Sequence, residues 1–107
     1  MENAKFIQVM TTSDSRQVAE KIADTLVAQK LAACVQITSP VRSLYRWKGK
    51  IEKVKEYICF IKTRKKFFKK VENTIKKLHN YEVPEIIALE IIDANPDYIG
   101  WLDKELK

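Results

Sequence analysis

A chain of 107 residues has room for one domain and one hydrophobic core. With 46% hydrophobic residues, 2 Gly and 3 Pro it is neither disordered nor of low complexity, and no apolar run approaches the roughly 20 residues that span a bilayer. The net charge of +6 hides an imbalance: residues 42–79 carry 14 Lys/Arg against 3 Asp/Glu, which marks either a solvated lysine-rich surface or an anion-binding face. The expected unit is a single domain over residues 1–107. Met1-Glu2-Asn3-Ala4-Lys5 lacks the basic-then-apolar order of a signal peptide, so a cytoplasmic location is expected. Cys34 and Cys59 lie in apolar runs without metal-type pairing and are expected to be reduced, buried and inert.

Phe6 to Thr11 reads as a first strand. Thr12-Ser13-Asp14-Ser15 offers several N-cap candidates, and Asp14 with Gln17 three positions on resembles a capping box. A helix should follow, since Val18, Ile22 and Leu26 recur every four residues beside Ala19, Ala23 and Val27. Leu31 to Thr38 begins a second strand, which Pro40 interrupts at a bulge or edge position and Val41 to Trp47 resumes. Lys48-Gly49-Lys50 supplies a hairpin turn with glycine where positive φ is wanted. Ile51 to Thr63 returns as a third strand.

Arg64 to His79 reads as a second helix, with Phe67, Phe68, Val71, Ile75 and Leu78 as its buried stripe and lysines elsewhere. Glu85 to Ile92 is a fourth strand, apolar at most positions and therefore expected to be covered on both faces. After a turn at Asp93 to Asp97, a short helix to Leu106 presents Tyr98, Trp101 and Leu102. The order predicts an α+β class: a ferredoxin-like βαββαβ sandwich with an extra C-terminal helix, both long helices lying on one face of an antiparallel sheet.

That arrangement leaves the other sheet face bare, yet the strands are apolar at both parities. The second and third strands are also long against a typical length of roughly 5–6 residues. Their tips would carry Tyr45 and Trp47 past the core. Long exposed edges with aromatic residues invite pairing with another chain, so a homo-oligomer with Tyr45 and Trp47 at its interface is expected.

Leu78-His79-Asn80-Tyr81-Glu82-Val83-Pro84-Glu85 holds the only histidine, a phenol and two carboxylates on a connection stiffened by Pro84. His79 offers imidazole nitrogen to a metal, Glu82 and Glu85 hard oxygen, and Met10, Cys34 and Cys59 soft sulfur. No two of them have zinc-finger or His-x-x-x-His spacing. Alternatively, His79 ends a helix and satisfies backbone carbonyls there.

Three segments together resemble the CutA family of divalent-cation tolerance proteins: Leu31-Ala32-Ala33-Cys34-Val35, Ser43 to Ile51 with its Tyr45-Arg46-Trp47-Lys48-Gly49, and Leu78 to Glu85. Ile61-Lys62-Thr63 and Pro96-Asp97-Tyr98-Ile99-Gly100-Trp101 fit as well. The resemblance implies a compact homotrimer, similar in plan to PII-type signalling proteins, a cytoplasmic location and a link to copper tolerance. It also implies a copper site made by a first-strand cysteine and two adjacent histidines at the end of the second helix. Here those positions are Met10 and Leu78-His79, so His79 and Met10 are the metal candidates, for Cu2+ or another divalent cation. Asn80 stands where the family usually has proline. In a trimer, Tyr81, Glu82 and Glu85 would line a cleft between subunits near Cys34 and Lys62, suited to a small anion or metabolite.

The expected function is therefore divalent-cation tolerance by binding or signalling as a self-associated trimer. No organic cofactor and no membrane partner are expected. The alternative is a trimer that senses a small molecule or anion without a metal. Catalysis is not expected, for there is no Ser-His-Asp set, phosphate-cradling glycine loop or second histidine. RNA-recognition domains share the strand order, but Glu56 to Ile61 contains no glycine and lacks their stacking signature, so nucleic acid is not an expected partner.

Overall fold

The computed structural model describes residues 5–107; Met1 to Ala4, which carry most of the signal-peptide reading, lie outside the described residues. The elements run β1 (Phe6–Ser13), α1 (Arg16–Ala28), β2 (Cys34–Ile37), β3 (Val41–Trp47), β4 (Lys50–Arg64), a 3-10 turn (Lys65–Phe67), α2 (Phe68–Leu78), β5 (Ile86–Glu90) and α3 (Pro96–Glu105). Hydrogen-bonded neighbours in the antiparallel sheet follow the order β2-β4-β1-β5, with β3 also paired to β4.

Strand alternation divides the sheet into two unlike faces. Ile7, Val9, Cys59 and Ile61 point to the side covered by α1 and α2, where they meet Ala19, Ile22, Leu26, Val71 and Ile75 in one buried cluster. The opposite side carries Met10, Phe60 and Ile87 in one row, and Gln8, Lys62, Cys34 and Leu89 in the next. Here the expectation for the fourth strand needs correction. Ile87 is 44% and Leu89 54% exposed, and of the five strand residues only Ile86 is half-buried, so β5 is not covered on both faces. An apolar run shows that both faces avoid water, but not that one chain supplies both covers.

Local chemistry explains the element ends. The N-cap of α1 is Ser15, whose Oγ accepts from Val18 N at 3.2 Å, rather than the Asp14–Gln17 box. Asp14 instead accepts from Asn80 Nδ2 at 2.8 Å, a long-range partner that local spacing does not reveal. Beyond α1, Lys30 takes a φ of 59°, and Leu31 N donates to Leu26 O at 3.0 Å, which closes the helix in a Schellman-type end. Lys48 and Gly49 both have positive φ, 50° and 81°, and form a two-residue turn of type I′ hand between the paired Trp47 and Lys50.

Pro40 divides the expected second strand in two. Ile37 pairs with Cys59 and Val41 with Glu56, so four steps on one side face three on β4. The extra residue is a bulge. Thr38 anchors it, its Oγ accepting from Ile58 N at 3.1 Å. Beyond the bulge, β3 and the first half of β4 form a ribbon with Leu44 and Ile51 exposed, and the molecule extends 44 Å along its longest axis.

The second helix begins later than expected, after the 3-10 turn, and His79 is its extended C-cap rather than its last turn. Phe67, Val71 and Ile75 are buried as expected, while Phe68 and Leu78 are half-buried. In α3, Pro96 occupies the first turn, Asn95 caps it by accepting from Asp97 N, and Leu102 is fully buried while Tyr98 and Trp101 stay exposed.

The cysteines lie on opposite sheet faces and are both free. Cys59 is buried, its Sγ is 3.8 Å from Ala19 O, and burial pushes its thiol up to about 11. Cys34 is only half-buried, a correction to its expected burial. Burial and then the neighbouring Cys34 thiol push the Tyr98 phenol up. Cys59 is therefore expected to resist thiol reagents until the protein unfolds. Counting maleimide-labelled sites in Cys34→Ser before and after denaturant checks this; labelling of the folded variant would refute it.

Candidate functional site

The stretch from His79 to Glu85 is sewn to the end of β1. Ser13 Oγ donates to Asn80 Oδ1 and Asn80 Nδ2 donates to Asp14 Oδ1, both at 2.8 Å. His79 adds two bonds. Its Nδ1 accepts from Tyr81 N at 3.0 Å, which leaves the proton on Nε2 to be donated to Thr12 O at 2.7 Å. The imidazole thus satisfies a carbonyl of β1 rather than one of its own helix, and packs 4.8 Å from the Tyr81 ring, centroid to centroid.

Held this way, residues 81–85 form one wall of a groove of about 810 Å³. The ribbon supplies the other wall: Tyr45 and Trp47 from β3, and Glu52, Val54 and Glu56 from β4. Five carboxylates line the groove, those of Asp14, Glu52, Glu56, Glu82 and Glu85, and its lining contains no lysine or arginine. Lys48 reaches only the rim, 3.8 Å from Glu82, where both side chains are exposed. Glu56 is the inner group, at 4% exposure, and Tyr81 Oη donates to its Oε2 at 2.7 Å. Burial, with the Glu56 carboxylate second, raises the Tyr81 phenol far above its ordinary value. Burial and the same field raise Tyr45.

Burial also lowers His79 below its usual 6.5, outweighing the Thr12 carbonyl and the Asp14 and Glu56 charges, which act the other way. The unfolded chain therefore takes up this proton first, so His79 supports folding fully above pH 6.5 and progressively less as the pH falls below it. Protonated Nδ1 can no longer accept from Tyr81 N. Between about pH 5.5 and 6.5, above the range where carboxylates titrate, wild type is expected to lose stability on acidification and His79→Gln to lose less. Urea unfolding midpoints across that window check this, and equal slopes would refute it.

The structure brings together Tyr45, Trp47, Tyr81, Glu82 and Glu85 from among the candidate residues. Within one protomer it does not bring in Cys34 and Lys62. They pair with each other six residues along β4 from Glu56, roughly 20 Å away, where Lys62 Nζ donates to Gln36 Oε1 at 2.6 Å. Met10 lies on the uncovered sheet face opposite Phe60 and Ile87. Both imidazole nitrogens of His79 hold hydrogen bonds within the protomer. Among the described residues, no three His, Cys, Asp or Glu side chains are grouped to hold a metal ion.

Sequence reasoning missed Glu56, Glu52 and Asp14. A signal for the first two lay in strand parity: Glu52, Val54, Glu56, Ile58 and Phe60 share one face of β4, whereas Lys53 and Lys55 point the other way. Two acids in phase with an apolar stripe mark a polar recess beside a core, not a solvated surface.

Comparison with known proteins adds an independent line. The family model described as CutA1 divalent ion tolerance protein matches residues 7–105. The divalent-cation tolerance protein CutA of Thermus thermophilus is 43% identical over 94 residues, covering 88% of this chain and 91% of that one. Its counterpart from Pyrococcus horikoshii is 41% identical over 102 residues, 95% of this chain and 99% of that one. In three dimensions, the Thermus thermophilus Cut A1 structure superposes with a TM-score of 0.91 at 39% identity, covering 95% of this chain and 99% of that one. CutA1 from a psychrotrophic Shewanella gives 0.93 at 34% identity, with 98% of each chain covered. Sequence, fold and spacing agree along nearly the whole chain: it belongs to the CutA1 divalent ion tolerance protein family.

Proposed function

We propose that this protein serves divalent-cation tolerance as a ferredoxin-like, PII-type homotrimer that binds rather than catalyses. The strand order β2-β4-β1-β5 and two helices on one face support the ferredoxin-like topology. The trimer is supported by the uncovered row of Met10, Phe60 and Ile87 and by the long ribbon. Two free thiols suit a reducing compartment, which supports a cytoplasmic setting.

One observation carries the ligand class: five carboxylates and no lysine or arginine line the groove. Its field draws cations and repels anions. We therefore infer that a divalent cation, Cu2+ included, is drawn to the groove by the summed field of its carboxylates, which are not grouped as a chelating set, with Tyr45 and Trp47 as the apolar wall, rather than held at His79 and Met10. This reading sets aside a small anion for the same groove.

The test is calorimetric titration of Cu2+, Zn2+ and Mn2+ into wild type, His79→Ala and the double variant Glu52→Gln/Glu82→Gln. The expected result is near-wild-type affinity for His79→Ala and a loss of roughly tenfold for the double variant. Abolition of binding by His79→Ala alone would return the site to the imidazole. Absence of any cation binding by wild type would remove the metal from this reading.

A further inference from the structure

The far end of β4 carries the opposite field. Lys5, Arg64, Lys65 and Lys66 line a second depression of about 450 Å³; their aliphatic stems make its wall, so their charges belong to its rim. Lys70 lies beside them: Arg64, Lys66 and Lys70 each place their charge 5.8–5.9 Å from the centre of the Phe67 ring. Two carboxylates answer these five cations. Asp103 pairs with Arg64 and Glu90 with Lys65. Among the described residues, Lys5, Lys66 and Lys70 have no carboxylate within salt-bridge distance, which leaves three positive charges uncompensated on a small surface.

The pocket is also fixed in part before any ligand arrives. Arg64 is clamped by the Asp103 carboxylate and by Asp103 O at 3.0 Å, and its guanidinium lies 5.7 Å from the Phe6 ring centre. Its Nε is buried and has no hydrogen-bond acceptor. Lys65 N donates to Lys5 O at 2.7 Å, which locks the backbone of Lys5 beside the start of the turn. Clamped cations cost less ordering entropy on binding than free lysines do. Crowded like charges on low-dielectric aromatic rings favour a counter-ion of high charge density.

We propose that this pocket binds a small multivalent phosphate, independently of the groove and of its cation. Its size suits a few phosphoryl groups, and its cations are gathered in one node rather than strung along a track, which disfavours an extended nucleic acid. Lys5 and Lys66 supply the ion-pairing donors at the rim, above the wall that the side-chain stems make.

The experiment is calorimetric titration of tripolyphosphate into the full chain at constant salt of about 0.1 M. Wild type, Lys5→Glu, Lys66→Glu and the control Lys77→Glu are compared. Lys77 lies in the last turn of α2, so its substitution changes net charge equally but away from the pocket. The expected result is saturable binding by wild type, a loss of at least roughly tenfold in each pocket variant, and less than about twofold in the control. Equal losses in all three variants would reduce the effect to net charge and overturn the site. So would failure of wild type to saturate, or tighter binding of a single-stranded RNA that tripolyphosphate does not displace.

Discussion

Ile87→Asp combined with Leu89→Lys is expected to turn the proposed trimer into a folded monomer. Both side chains stand on the uncovered sheet face, and about half of each is exposed in the isolated chain. In the monomer they are already solvated, so the substitutions should change the stability of one subunit by only about 0.5 kcal/mol. Covering them with a neighbour would contribute about 2–3 kcal/mol per interface, and a charge buried there without a partner would oppose association by several more. Met10 and Phe60, in the same row as Ile87, lose their cover as well. Sedimentation velocity with circular dichroism checks this. A monomeric wild type, or a variant that still forms trimers, would refute the assembly.

Tyr81→Phe is expected to destabilise the protein by about 1.5–3 kcal/mol at pH 7, the range for a hydrogen bond to a charged partner. The substitution conserves the ring and its packing on His79 but removes the hydroxyl bonded to Glu56. It leaves a carboxylate at 4% exposure facing an apolar ring edge. The alkaline limb supplies a second readout. The folded phenol holds its proton well above the value of 10 found for free tyrosine, so the unfolded chain releases it first. The stabilisation is complete below pH 10 and drains away as the pH climbs beyond it. Tyr81→Phe should flatten that decline in part, since Tyr45 and Tyr98 are raised too. Urea unfolding at pH 7 and above pH 10 gives both numbers. A variant matching wild type at both would show that the Tyr81–Glu56 contact contributes nothing.

The two ends of β4 make opposite electrostatic surfaces from one strand. Glu52 and Glu56 enter the groove from one half, while Arg64 closes the other beside Lys65 and Lys66. A net charge of +6 predicts neither. The basic stretch 42–79 supplies most of the second, yet two of the five carboxylates of the first, Glu52 and Glu56, arise inside the same stretch, because alternation separates them from their lysine neighbours.

The sequence by itself determined the elements and their order. Val18, Ile22 and Leu26 specify a helix by period, Lys48-Gly49 a tight hairpin by backbone freedom, and Pro40 a break by its missing donor; these forces act between near neighbours. It also marked residues 78–85 as the place to look, since Pro84 and the titratable groups are local facts. Only the tertiary structure decided what those groups do. His79 Nε2 is engaged by Thr12 O across 67 positions, and Tyr81 meets Glu56 across 25 positions. Within one protomer it likewise set Cys34 and Lys62 apart from the groove and joined Asp14 to it. Hydrogen bonds and burial between distant segments depend on sheet register and on a one-residue bulge, and neither leaves a periodic trace in the chain.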